Sequence, residues 1–360
     1  MLKALANVFK VKELRKKVLF VLAMMVVYRI GAYIPVPGVD VAILKERLFA
    51  GGVGGVFDFL DLFAGGALRN FTIFAMSITP YITASIILNL LTVVIPKLEE
   101  LSKQGREGRK KIAQYTRYGT IVLALIQGIG ITMYIQRFGA IKNPSVFNLL
   151  VIVISLVAGT AFLMWLGEQI NDKGIGNGIS IIIFTSIISR FPGDILGTYR
   201  LMRAGTISIL NILIFIVLAV AIIAGIIFVQ QGERRIPVQY SKRIVGRKVY
   251  GGRSTHIPMK INQAGVIPVI FASSVLLFPG VIAQVLPYDW AQNLAAMISP
   301  GSRLYLVLYA LMILFFTYFY TAITFNPEEV AENMKKNGGF IPGIRPGKAT
   351  VNYLDKILVR

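Results

Sequence analysis

Eight stretches of this chain are apolar at almost every position, without the alternation of a half-buried strand. They fall near residues 18–34, 71–95, 118–136, 147–167, 175–191, 207–229, 264–288 and 304–325. A helix needs about 20 apolar residues to cross a bilayer, and these runs have that length. Continuous apolarity suits helices, whose backbone bonds close within the segment, rather than the alternating strands of a barrel. The pattern predicts an all-α polytopic membrane protein with about eight transmembrane helices.

Four departures from plain apolar runs stand out. The second run, SITPYITASIILNLLT, carries Ser77, Thr79, Pro80, Thr83, Ser85 and Asn89. The seventh, INQAGVIPVIFASSVLLFPG, carries Asn262, Gln263, Pro268, Ser273 and Ser274. Hydroxyls in spans ordinarily pack helices together, but two polar runs interrupted by proline also read as walls of a path. The stretch GGVGGVFDFLDLFAGGALRN (51–70) is too short to span. Its Phe57, Leu60 and Phe63 recur at helical spacing, as in a re-entrant plug helix beside a cavity or an amphipathic helix on the outer surface. Finally, QQGERRIPVQYSKRIVGRKVYGGRSTHIPMK alternates polar and apolar residues, which predicts a hairpin protruding between the sixth and seventh runs.

Charge orients these runs. The chain has 360 residues, 55% hydrophobic and 15% charged, with a mean hydropathy of +0.68. Its formal net charge is +21. With the amino terminus in the cytoplasm, most of the 38 Lys and Arg fall in inward segments, around 3–17, 97–117, 234–260 and 335–360. The positive-inside rule then places both termini of an eight-span chain in the cytoplasm. The first run lacks a following small-residue cleavage site and reads as a retained span. Arg29, within it, is expected to snorkel to the outer interface.

The candidate chemistry is sparse. With no Cys, disulfides and thiolate sites are excluded, and the single His256 excludes motifs needing two imidazoles. His256 lies in a basic loop and reads as an ordinary loop histidine. The span interiors lack Asp and Glu, so proteolysis by paired aspartates has no residues to use. A proton- or sodium-coupled transporter would also lack its usual midplane carboxylate. No catalytic, metal or cofactor site is expected, and the chain reads as a non-enzyme. The glycines of QINDKGIGNGISIIIF (169–184) are not a phosphate loop: no Lys–Ser/Thr pair follows, and Gly178 comes one residue too early for a dinucleotide fingerprint. They predict a tight turn between two spans.

FLMWLGEQINDKGIGNGISIIIF strongly resembles the signature of the SecY family, the central subunit of the bacterial protein-conducting channel. So do YRIGAYIPVPGVD, PYITASIILNLLTVV, QYTRYGT, GVIPVIFASS and FFTYFYTAITFNPEEVAENMKKNGGFIPGIRPG. The resemblance is nearly collinear with the chain. It implies two pseudo-symmetric halves, 1–205 and 206–360, around a central pore, the second with cytoplasmic loops at 230–262 and 326–360. The family has ten spans, and YLDKILVR stands where the ninth would begin, so the last two are expected to be absent.

The same resemblance implies site residues. Ile78, Ile82, Ile183 and Ile270 would form the pore ring. The segment 56–66, with Phe57, Leu60 and Phe63, would be the plug. Thr83 and Asn89 on the second span and Asn262 and Phe278 on the seventh would line a lateral gate. Arg243, Arg247 and Arg345 would contact cytoplasmic partners: the SecA motor, the ribosome and the signal-recognition-particle receptor. SecE and SecG would complete a complex in the bacterial cytoplasmic membrane, handling signal sequences and unfolded preproteins. An ion-coupled secondary transporter, with inverted repeats and broken helices, is the competing class.

Overall fold

The computed structural model describes residues 10–46, 61, 63–240, 243–245, 248–250, 255–273, 275–276, 297 and 302–359. Among them, five helices are long and apolar enough to cross a bilayer, or six if one bent pair counts as a single span. The chain divides into two compact units, Met1–Arg200 with Ile270–Ala310, and Leu201–Val269 with Leu311–Arg360. The expected halves, 1–205 and 206–360, and these units place 201–205 and 270–310 differently.

In the first unit α1 (Lys12–Gly31) is followed by a one-turn helix α2 (Val41–Leu44). Asp40 caps α2 by accepting the Ala42 and Ile43 N–H groups at 3.0 and 3.5 Å. Next come α3 (Thr79–Val94), α4 (Pro96–Lys103), α5 (Gly105–Arg137), α6 (Val146–Lys173) and α7 (Gly178–Arg203). The axis bends by 101° between α3 and α4.

The second apolar run therefore begins its helix at Thr79 rather than near 71. Residues 65–78 are turns and one bridge, with Phe71 and Ser77 at φ +43° and +51°. Pro80 sits in the first turn of α3, where its missing N–H has no intrahelical partner to lose. Pro268 likewise falls at the start of helical residues 267–273. Both prolines therefore fall in a first helical turn rather than in mid-helix, and the break at the second run comes after it, between α3 and α4.

The core of this unit gathers Tyr28, Phe71, Phe74, Ile152, Leu156, Leu163, Leu166, Ile170 and Ile182. Tyr28 stacks on Phe74 at 5.8 Å, and Phe74 on Phe162 at 6.0 Å. At the far end, the Arg117 Nε donates to Glu168 Oε1 at 2.7 Å and ties α5 to α6.

The glycine-rich turn at 174–178 has a packing cause. A Cβ on Gly178 would collide with the Gly167 carbonyl, so glycine lets α7 start flush against α6. The Asn171 Oδ1 accepts the Gly178 N–H at 2.7 Å, and Asn177 Oδ1 accepts that of Ser180 at 3.1 Å. Two side-chain amides thus satisfy donors that a helix N-terminus leaves open.

In the second unit α8 (Ile209–Gln231) is exposed along its whole length. Among the described residues none buries a side chain of this helix, as suits a helix bathed in lipid. The expected hairpin follows. Strand β1 (Glu233–Tyr240) pairs antiparallel with β4 (Thr255–Lys260), in register from Glu233↔Lys260 to Val238↔Thr255. Between them β2 (Arg243–Val245) pairs with β3 (Lys248–Tyr250). His256 lies exposed on β4, opposite Pro237.

After α9 (Arg303–Thr324), the helix within which the two units divide, come α10 (Pro327–Lys336), β5 (Gly339–Phe340) and α11 (Lys348–Val359). Asn326 caps α10, accepting the Glu328 and Glu329 N–H groups at 3.0 and 3.4 Å. Strand β5 joins β1 through Gln239↔Phe340 and Tyr240↔Gly339, making a sheet of order β4-β1-β5. Ile236, Val238, Met259, Met334, Ile341 and Leu354 form its own apolar core. The two long loops are one folded module.

Candidate functional site

In the first unit the site is an apolar cluster beside a polar clasp. Ile78, 2% exposed, is the residue just before α3. The Ile82 N–H donates to its carbonyl at 3.1 Å, so the two are joined across the first turn. Ile82 and Ile183 are partly buried and pack against the cluster that holds Ile78. Ile270 is half-buried and outside that cluster. Three of the four expected ring residues therefore meet one apolar body.

Beside this cluster, the described end of the glycine-bracketed stretch is held by polar groups. Phe63 is half-buried, and its carbonyl accepts the Ser77 hydroxyl at 3.0 Å. The Tyr28 hydroxyl donates to the Ala64 carbonyl at 3.2 Å and lies 2.6 Å from Ser186 Oγ. Arg29 is not simply snorkelling: Nη1 donates to the Gly65 carbonyl at 3.1 Å and Nη2 to Tyr33 Oη at 2.9 Å. Asp61, fully buried, accepts the Leu68 and Arg69 N–H groups at 3.0 Å each and meets Arg190 Nη1 at 3.4 Å. Burial pushes the Asp61 carboxyl above its ordinary value, against the opposing pull of the Arg69 N–H and the Arg190 charge. Phe57 and Leu60 lie outside the described residues.

Of the expected gate residues, Thr83 is half-buried on α3 and donates its hydroxyl to the Thr79 carbonyl at 3.0 Å. Asn89 is exposed near the end of α3. Asn262 closes the turn before 267–273: its Oδ1 accepts the Gly265 N–H at 3.0 Å and its Nδ2 donates to the Gly265 carbonyl at 3.1 Å. Phe278 lies outside the described residues.

In the second unit Arg345 is exposed on the loop between β5 and α11. The loop is anchored on both sides. Ile341 is 3% exposed in the module's core, and the Ile344 N–H donates to its carbonyl at 3.0 Å. The Thr350 hydroxyl, itself buried, donates to the Arg345 carbonyl at 3.0 Å. Gly343 and Gly347, at φ +81° and +104°, make the reversals that this route needs. The backbone of Arg345 is fixed while its guanidinium faces outward. Arg243 starts β2, and its side chain, like the whole of Arg247, lies outside the described residues.

Tyr28, Asp61, Ser186 and Arg190 were missed as site residues. In the sequence Asp61 is merely an acid within an apolar stretch and Arg190 a base at the end of a span. Their pairing across 129 positions has no signature in sequence. Among the described residues no cluster of His, Asp or Glu suits a metal ion.

A family model for SecY matches residues 72–360. The protein translocase subunit SecY of Halalkalibacterium halodurans is 51% identical over 373 residues, covering 100% of this chain and 85% of the relative. Among solved structures, one described as the structure of a protein conducting channel is similar with a TM-score of 0.66 at 18% identity, over 96% of this chain and 81% of that one. Sec61 in the canine ribosome–channel complex from the endoplasmic reticulum gives 0.61 at 16% identity, over 96% and 81%. Matched by that family model from residue 72 to its final residue, and half identical to a translocase subunit along its whole length, the chain belongs to the SecY family.

Proposed function

We propose that this chain is the channel-forming subunit that conducts unfolded secretory polypeptides across the bacterial cytoplasmic membrane and releases apolar segments sideways into lipid. The 51% identity with a protein translocase subunit, over 100% of this chain, carries this reading. No observation favours the ion-coupled transporter: the matched relative is a translocase, and carboxylates are missing from the span interiors.

The proposed mechanism needs no chemistry from the chain. Ile78, Ile82, Ile183 and Ile270 form a constriction that excludes ions by dewetting and makes no directional bonds with passing peptide. The partial burial of Ile82 and Ile183 against one cluster supports this role, and residues 56–66 would be the plug. Thr83, Asn89, Asn262 and Phe278 flank the lateral gate. Energy comes from a partner. Arg345, held outward on an anchored loop, fits a carboxylate of SecA or a phosphate of ribosomal RNA, since guanidinium recognises both in bidentate fashion. A similar fold in a ribosome-bound Sec61 complex supports the ribosome as a partner. SecE and SecG complete the assembly, and Arg243 and Arg247 add contacts for the signal-recognition-particle receptor.

The test reconstitutes the complete channel in vesicles with SecA, ATP and an unfolded precursor. Protease-protected precursor should accumulate, and its absence beside an active reference channel would overturn the reading. Changing the four isoleucines to Gly with 56–66 deleted should produce persistent ion conductance. Four Ile→Gly changes on α8 should not; equal tightness would remove these residues from the seal.

A further inference from the structure

We infer that Arg190 and Asp61 form a latch that fastens Asp61 and the turn at 63–66 to α7 and sets how readily the resting channel opens; this rests on the channel reading above. The two oxygens of Asp61 do different work. Oδ1 accepts two N–H groups seven and eight residues ahead, Leu68 and Arg69, and so shapes the local turn. Oδ2 faces outward from that turn to Arg190 Nη1 at 3.4 Å, on a different element. The carboxylate is 1% exposed and the guanidinium 23%, so water screens the pair little.

Other fastenings at this point are neutral or reach other elements. Tyr28 and Arg29 of α1 hold the carbonyls of Ala64 and Gly65. Ser77 holds the carbonyl of Phe63. On α7, Ser186 contributes a neutral hydroxyl to Tyr28. A Cβ on Gly65, whose φ is +63°, would press within 2.9–3.0 Å of the Ser186 backbone and the Ser189 hydroxyl, so the turn lies directly on the α7 surface. Asp61–Arg190 is an ion pair that joins the turn to α7. Any movement of Asp61 and this turn away from α7 must break it.

This division of labour makes Arg190 the informative position. Arg190→Gln removes the latch charge while leaving both Oδ1 bonds that shape the turn. Asp61→Asn keeps an amide oxygen for those bonds and removes the other charge. Both act on the resting state, because the contact exists only while the turn lies on α7. Arg190→Lys, which keeps the charge, should behave nearly as the parent.

The experiment measures basal ion conductance of the complete channel in planar bilayers, without motor or precursor. Arg190→Gln and Asp61→Asn should each raise the open fraction at least tenfold, with normal assembly by size-exclusion chromatography. In this cysteine-free chain, the pair Asp61→Cys/Arg190→Cys should leak as thiols. A short bis-thiol-reactive reagent bridging the two positions should restore the seal. If Arg190→Gln stays as tight as the parent while the pore-ring and plug-deletion variant conducts, the latch is wrong and the channel reading stands. If neither conducts, both fail. Equal leakage before and after bridging would also overturn the latch, since it would show a structural lesion rather than a lost fastening.

Discussion

Gly178 tests the claim that the glycine-rich turn exists for packing. Replacing it with Ala places a methyl against the Gly167 carbonyl and 2.9 Å from Ile170 Cβ, both on α6. Neither the backbone carbonyl nor a Cβ can rotate away, so α7 must shift. Forced overpacking of this kind costs about 1–3 kcal/mol. The shift also stretches the 2.7 Å bond from Gly178 N–H to Asn171 Oδ1, a bond of about 1 kcal/mol. Against this stands the helix preference of Ala over Gly, ~1 kcal/mol in a helix interior and less at a first residue. The net expectation is a loss of about 2 kcal/mol, or about 4–8 °C in Tm for a unit of this size. Gly197 is the control: it lies in the same helix, and a Cβ there meets nothing within 4 Å. Gly197→Ala should raise Tm by ~2–4 °C through propensity alone. Thermal unfolding of the purified protein in detergent, followed by the fluorescence of Trp165 on α6, compares the two. If Gly178→Ala matches the parent, or both variants move in the same direction, the close approach is not what demands glycine.

Leu354, with 0% exposure in the module built from the two loops, should cost about 2–5 kcal/mol on change to Ala; limited proteolysis should then nick 233–260 sooner while the spans resist. Arg345→Glu should leave that module folded by the same assay yet stop ATP-driven translocation, and Arg345→Lys should restore it only in part; normal translocation by the Glu variant would remove Arg345 from the partner surface. Crosslinking Thr83→Cys to Phe278→Cys in the cysteine-free chain should block export, and export that continues despite quantitative crosslinking would remove the gate assignment.

Much of this protein was legible along the chain because its solvent imposes a one-dimensional rule. A backbone in lipid must satisfy its own hydrogen bonds, so an apolar run of sufficient length becomes a helix wherever it lies. Runs such as 207–229 and 147–167 therefore read directly as α8 and α6. Alternation in 233–240 and 255–260 marked the hairpin for a similar reason: Ile236 and Val238 point to one face and are both buried. The turn at 174–178 was legible by elimination, since its glycines lacked the companions that phosphate binding requires.

Tertiary structure decided what depended on distant partners. The start of α3 at Thr79 could not be read from apolarity alone, because residues 71–78 are just as apolar but are folded as turns against the core of Tyr28, Phe74 and Leu156. The joining of β5 to β1 turned two separate loops into one module, because a two-residue strand carries too little pattern to announce its partner. The clasp around Asp61 was equally invisible. A buried carboxylate is tolerable only where donors converge on it, and those donors come from positions 68, 69 and 190. Apolar periodicity is a local property that a sequence displays, whereas the satisfaction of a buried charge is a property of the folded arrangement.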